Sequence, residues 1–167
     1  MVKKALAYAM CLGIVLPLSA AADSLLMKFE GGIGVIPVSS GQGTAATATV
    51  VNRNIVRGVQ PPGQIWVIAA LRADVKAEGR IRVDGRGLLL GGGNNIGLNA
   101  NQSVRATLVC GTPVPTLHDS DLVPLEPNGD FRIDDELTPA LPPDCVSPVL
   151  LIRNPAGSWF AAGILKQ

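Results

Sequence analysis

The chain has 167 residues, with 14 Lys and Arg against 13 Asp and Glu. This length suits one domain with its own core, so no second domain needs to be invoked. The nearly balanced charge excludes the strongly basic surface with which proteins attract nucleic acid or anionic membranes, and we expect no nucleic-acid partner.

The first 22 residues have the layout of a secretory signal peptide. Two lysines precede an apolar run from Ala5 to Leu18, and three alanines ending at Ala22 follow it. The run is too short to cross a bilayer core of about 30 Å as a helix, so we expect cleavage after Ala22. Residues 23–167 are then predicted to form one secreted or periplasmic domain without a membrane span. Loss of the two lysines leaves 12 basic and 13 acidic side chains, a net charge of −1.

The stretch FEGGIGVIPVSSGQGTA, Phe29 to Ala45, resembles the start of chordin-type secreted repeat domains, in which a proline-containing turn precedes a Gly-Thr-Ala strand. The histidine-containing strand of that family is absent here, and the resemblance covers less than a fifth of the chain. We carry no function or site residue over from it. The overlapping stretch Thr44 to Asn52 is rich in threonine and valine, which is typical of strands.

Residues 64–85 contain the clearest periodicity. QIWVIAALR, Gln64 to Arg72, is apolar at odd and even positions alike, which fits either a strand covered on both faces or the first turns of a helix. From Ala73 to Gly85, apolar and charged residues alternate, as in an antiparallel strand with one wet face. Glu78 and Gly79 predict a bulge or a tight turn that splits this stretch into a hairpin. The mixed charges of the wet face predict cross-strand pairs rather than a binding patch.

Six glycines surround three leucines in RIRVDGRGLLLGGGNNIG, Arg80 to Gly97. The stretch lacks the third glycine of a dinucleotide fingerprint, and it lacks the lysine of a phosphate-binding loop. Glycine and asparagine tolerate positive φ, so we predict turns around a short strand from Leu88 to Leu90. No nucleotide or other cofactor is expected.

The two cysteines of the exported part predict a disulfide. Cys110 ends the strand-like stretch SVRATLVC, and Cys145 lies 35 positions further along the chain. In an oxidising compartment a bridge between them is the default. Eight of the thirteen prolines lie in residues 111–148, which predicts a long loop region with brief edge strands, because proline donates no hydrogen bond to a sheet. One such strand is expected from Phe131 to Asp134.

Polar residues in this region suggest catalytic or metal sites, although none of them matches a motif. His118 lies in LHDSDL beside two aspartates, but no GxSxG stretch supplies a nucleophile, and we interpret it as an exposed loop histidine. A hydrolase would have to use an unrecognised arrangement of Asp119, Asp121 and Asp134. A structural calcium ion would take its oxygen ligands from Asp134, Asp135 or Glu136. We expect no catalytic residue and no metal site.

Short strands with frequent turns, ending in PVLLIRN and SWFAAGIL, predict an all-β fold. We expect a single antiparallel β-sandwich or flattened barrel with the five phenylalanines and tryptophans in its core.

The export signal and the lack of a catalytic constellation favour a non-enzymatic interaction or structural protein of the cell envelope or extracellular space, with an unknown envelope partner. The loop region Gly111 to Asp144 either forms the contact surface or serves only as scaffolding. The alternative is a barrel that carries a small apolar ligand or lipid, its cavity lined by Leu88 to Leu90, Trp66 and the terminal apolar runs.

Overall fold

The computed structural model describes residues 24–39 and 52–166, and it is all-β there, with no helix. The prediction of an all-β fold is confirmed, and the helical alternative for residues 64–72 is wrong. The signal peptide and nearly all of the strand predicted from Thr44 to Asn52 lie outside the described residues. The strands are β1 (Leu25–Gly34), β2 (Val38–Ser39), β3 (Asn52–Arg53), β4 (Trp66–Val67), β5 (Ala70–Lys76), β6 (Arg80–Arg86), β7 (Leu89–Leu90), β8 (Ser103–Cys110), β9 (Thr116–Asp119), β10 (Val123–Pro124), β11 (Phe131–Glu136), β12 (Val149–Arg153) and β13 (Trp159–Leu165).

Nine of these strands form one antiparallel sheet that is curled into a half-barrel. The strand order is β10-β8-β12-β13-β1-β5-β6-β11, and β9 also pairs with β8. The two ends of the sheet meet where Asp119, at the end of β9, exchanges two backbone hydrogen bonds with Thr138, just after β11. Between β10 and β11 the ends stay apart, and an open groove of about 500 Å³ lies there. The half-barrel agrees with the predicted flattened barrel.

The alternating stretch forms the predicted hairpin of β5 and β6. Val75 pairs with Ile81 across a turn in which the N–H of Gly79 donates to the carbonyl of Lys76, and Gly79 has φ +94°. That conformation favours glycine. Because the turn keeps the period of two in register, apolar side chains of both strands face the core and charged ones face solvent.

A second layer of short strands covers one mouth of the half-barrel. The N–H of Trp66 on β4 donates to the carbonyl of Val35, and β4 pairs with β7. The Trp66 ring stacks on Phe160 of β13, with ring centroids 4.0 Å apart. All five predicted core aromatics are buried: Phe29, Trp66, Phe131, Trp159 and Phe160. The layer therefore closes the core through aromatic stacking.

The predicted disulfide joins Cys110 at the end of β8 to Cys145, whose Cα atoms are 4.8 Å apart. The proline-rich region between them is mostly loop, as predicted, and contributes three short edge strands, β9, β10 and β11. The strand expected at Phe131 is β11, which continues to Glu136, whereas β9 and β10 were not predicted. A disulfide is compatible with an extracellular or periplasmic protein. Within the described ranges, no helix is long and apolar enough to cross a bilayer.

Candidate functional site

Three charged side chains meet on one face of the sheet where β8, β9 and β12 lie side by side. Arg105 on β8 is opposite Arg153 on β12, and Thr107 of β8 is opposite Asp119 on β9. The Asp119 carboxylate accepts the Thr107 hydroxyl at 2.6 Å and Nη1–H of Arg153 at 3.3 Å. Its second oxygen lies 3.5 Å from Nη1 of Arg105. We call Arg105, Asp119 and Arg153 the Arg–Asp cluster, in which one carboxylate serves two guanidiniums.

The Arg–Asp cluster is largely withdrawn from water. The exposed fraction of the side chain is 27% for Arg105, 30% for Asp119 and 15% for Arg153. Nε of Arg105 is buried and has no hydrogen-bond acceptor among the described residues. Buried donors are nearly always paired, so an unpaired one marks a place where the cluster has more donors than acceptors.

A cavity of about 320 Å³ lies against Arg153. Part of its wall is the two-residue turn Arg57–Gly58, which is closed by two backbone hydrogen bonds between Val56 and Val59. Both turn residues have positive φ, +52° for Arg57 and +82° for Gly58, as a tight hairpin turn of this kind requires. Two arginines, Arg57 and Arg153, are therefore among the residues that line the cavity, and none of the lining residues is acidic.

His118 is buried, so the prediction of an exposed loop histidine is wrong. It lies on β9 opposite Leu108, with Nδ1 2.7 Å from the carbonyl oxygen of Pro139 and Nε2 2.9 Å from Oγ1 of Thr116. A carbonyl oxygen only accepts, so Nδ1 carries a proton in this bond. The imidazole thus ties β9 to the segment that follows β11. Its polar neighbours in the sequence concealed the strand.

The three aspartates of the hydrolase hypothesis are held by different groups. Asp119 belongs to the Arg–Asp cluster, and the backbone N–H of Asp121 donates to the carboxylate of Asp135 at 2.6 Å. Asp134 binds two arginines on the exposed face of the sheet. None of these contacts joins two of the three carboxylates around a common centre, and the hydrolase hypothesis stays a prediction. In the part of the chain that the structure describes, no three potential metal ligands cluster.

The exposed face of β1, β5, β6 and β11 carries charges of alternating sign. Nη2 of Arg80 lies 2.9 Å from one oxygen of Asp134, and Nη2 of Arg82 lies 3.0 Å from the other. Hydrogen bonds from Arg80 and then from Arg82 hold the pKa of Asp134 below its usual value. The predicted cross-strand pairs are thus present. Two rows of opposite residues cross the four strands: Lys28, Asp74, Arg82 and Asp134, and Glu30, Arg72, Asp84 and Arg132.

The second layer leaves aliphatic side chains in contact with solvent. While Trp66 of β4 is buried, Ile65 and Val67 on either side of it are 40% and 48% exposed. Ile36, which follows the Val35 carbonyl that accepts the Trp66 N–H, is 61% exposed. A Cβ on Gly91 would come within 2.8 Å of Val67 and 3.0 Å of Ile65, so the bare glycine lets these side chains lie over the backbone of the next strand. We call Ile36, Ile65 and Val67 the apolar face.

The residues that the carrier hypothesis placed around a cavity are packed against one another. Trp66 stacks on Phe160, and Leu88 and Leu90 are buried in the same core. The backbone of Gly129 fits against Leu88, where an added Cβ would lie 2.6 Å from backbone atoms. The carrier hypothesis stays a prediction, with no structural observation in its favour.

The sequence analysis missed Arg57, Arg105 and Arg153. Two of them are single arginines inside otherwise apolar strands, SVRATLVC and VLLIR, and a charge in that position signals a partner on a neighbouring strand. The third belongs to VRGV, and Arg-Gly is not one of the usual pairs of a two-residue hairpin turn, so the sequence contained no signal for it. The three arginines are also far apart along the chain, so the sequence did not indicate that they lie near one another.

Comparison of the chain with protein-family models, with curated proteins and with solved structures finds no match. The resemblance to chordin-type domains therefore has no support from a family model. Part of that stretch, residues 40–45, also lies outside the described residues. A proposal for the function has to be argued from the residues themselves.

Proposed function

We propose that the chain is an exported, non-enzymatic interaction module of the cell envelope or its surroundings, and that it binds a protein partner through the apolar face. One observation carries the proposal. Ile65 and Val67 lie together over Gly91 in contact with solvent, and the exposed Ile36 follows Val35, whose carbonyl accepts the N–H of the buried Trp66 between them. Exposed aliphatic side chains that adjoin one another are typical of interaction sites.

The chemistry around the apolar face suits a protein rather than a charged polymer. Residues 59–71, which include β4, and residues 87–104, which include β7, contain no charged side chain. The centres of protein interfaces are depleted of charge in the same way, because a buried charge without a partner is costly. A partner with an apolar patch of its own is therefore the expected occupant.

The partner can be trapped by cross-linking in the organism that makes the protein. A benzophenone amino acid is placed at Val67 on the apolar face and, as a matched control, at Arg86 on the charged face, and the cells are irradiated. We expect a discrete adduct of higher mass from position 67 and none from position 86. Equal adducts from both positions, or no adduct from position 67, would contradict the proposal, as would an adduct made only with a second copy of the chain.

Export needs its own test, because a failed cross-link does not report on location. The expected product outside the cytoplasm begins at Asp23 and contains residues 23–167. Intact mass spectrometry of protein recovered from the culture medium and from the envelope measures this directly. A full-length chain that remains in the cytoplasm would refute export while leaving the surface proposal to its own experiment.

A further inference from the structure

Positive charge is in excess around the cavity beside Arg153. Arg57 and Arg153 both border it, and none of its lining residues is acidic. The nearby carboxylate, that of Asp119, is shared between Arg153 and Arg105, and among the described residues Arg57 has no carboxylate partner. A site with this balance of charge attracts anions.

Arg57 occupies a backbone position that favours other residues. With φ at +52° in a two-residue hairpin turn, this position favours glycine, asparagine or aspartate, so an arginine there is conformationally unfavourable. Strained positions often mark functional groups. Its Nη1 and Nη2 each donate to one carbonyl, of Gly111 and Ser147, both at 3.3 Å. Among the described residues these are its only acceptors, so Nε–H and one N–H on each Nη remain for a ligand.

Arg153 also has a donor group to spare. Its Nε donates to the carbonyl of Gly157, and its Nη1 donates to Asp119 and Thr107, whereas its Nη2 meets no acceptor in the described ranges. The buried Nε of Arg105, on the neighbouring strand, is unpaired as well. Arg57, Arg105 and Arg153 thus have more N–H groups than the described residues offer acceptors for them.

We propose that this cavity binds a small oxyanion, a carboxylate or a phosphate group, and that Arg57 and Arg153 are its cationic ligands. The planar fork of a guanidinium matches two oxygens of either group, and such charged hydrogen bonds strengthen where water is reduced. Val59 and Leu117 line the same cavity, which leaves apolar surface for an organic moiety attached to the anion. The site is separate from the apolar face and does not depend on the proposed function.

The test uses the exported chain and thermal unfolding in inorganic phosphate, in acetate and in sodium chloride at equal ionic strength. Binding to the folded state raises the melting temperature by mass action. We expect millimolar phosphate or acetate to raise it where chloride does not. A response to phosphate alone identifies a phosphate group as the ligand, and a response to acetate identifies a carboxylate. No response to either anion, or an equal response to chloride, overturns the proposal.

Arg57→Asn separates the site from the stability of the fold, because asparagine suits the left-handed position while the guanidinium is lost. We expect this variant to melt no lower than the wild type in chloride and to weaken anion binding by about tenfold or more. Arg82→Gln, which removes an arginine from the exposed charged face, is the matched control and should keep the response.

A second readout is the ¹⁵N-resolved Nε–H signal of each arginine during a phosphate titration. Saturable shifts are expected for Arg57 and Arg153, and none for Arg82. An unchanged anion response in Arg57→Asn, or shifts spread over all arginines, refutes the assignment.

Discussion

Reduction of the Cys110–Cys145 disulfide should destabilise the protein markedly. The bridge closes a loop of 35 residues, which contains three edge strands and most of the prolines. Cys110 is buried in the core cluster, and Cys145 packs against the same cluster, so the bridge connects the loop to the core. Without it, the unfolded chain gains the conformational freedom that the closed loop denies it.

The magnitude follows from the loop length. The chain-entropy relation gives about 4 kcal/mol at 25 °C for a loop of this size. For the expected exported part, about 145 residues with an unfolding entropy of about 2.1 cal/mol/K each, that corresponds to a fall in melting temperature of about 13 °C. The loss is a large part of the roughly 5 to 15 kcal/mol that stabilises a typical folded protein.

Two assays check this. A thiol reagent added to unfolded, unreduced protein should find no free cysteine, and the melting temperature should then fall when reductant is added. A variant with both cysteines replaced by alanine is the control, since reductant should leave it unchanged. Two free thiols in protein recovered from outside the cytoplasm, or a fall of less than about 2 °C on reduction, would refute the reasoning about how the loop is held.

Three further predictions concern the sheet and its second layer. Gly34→Ala should cost about 3 kcal/mol or more in chemical unfolding, because the new Cβ would lie 2.2 Å from the carbonyl oxygen of Trp66, whereas Gly63→Ala, with nothing within 4 Å, should change stability little. Trp66→Ala should cost about 3 to 5 kcal/mol through loss of the stacked core, and a value below about 1 kcal/mol would contradict that packing. The lowered pKa of Asp134 means that its ion pairs stabilise the fold above the unfolded pKa and stop doing so as pH falls through the folded value. Asp134→Asn should therefore melt slightly lower than the wild type at pH 7, and the difference should disappear well below about pH 4. A difference that persists at low pH would point to another cause.

The parts of the fold that were predictable are those whose signal is local. In the β5–β6 hairpin the alternation of apolar and charged residues continues through the turn at Gly79, so the polarity of each residue indicates which face of the sheet it occupies. The strands β8, β12 and β13 are short apolar stretches bounded by turn residues. The disulfide was predictable because two cysteines in an oxidising compartment form a bridge by default. Their prediction required no knowledge of which strand lies beside which.

The rest depended on contacts between distant residues. His118 belongs to a strand because it pairs with β8 and because the carbonyl of Pro139 accepts its proton, and neither partner is its neighbour in the sequence. The helical alternative for residues 64–72 also fails for a tertiary reason: Trp66 finds its place between Val35 and Phe160. Propensity within nine apolar residues cannot distinguish these outcomes, because burial on both faces removes the alternation.

Arginines surround an aspartate at two places on the sheet, Asp134 and Asp119, and only the second place is proposed as part of an anion site because the surroundings of the two differ. On the exposed face, Arg82 lies between Asp74 and Asp134 in a row of alternating charges, and Arg80 is opposite Glu136, so each of the two arginines has a further carboxylate and water beside it. The cluster around Asp119 has no such row, since its strand neighbours are apolar or neutral and its side chains are mostly covered. Interactions between charges weaken in water and strengthen where water is excluded. The arginines around Asp134 are therefore neutralised by neighbouring charges and water, whereas those around Asp119 keep the capacity to bind an anion. An anion bound at the cavity therefore interacts most favourably with the arginines that have the fewest carboxylates around them.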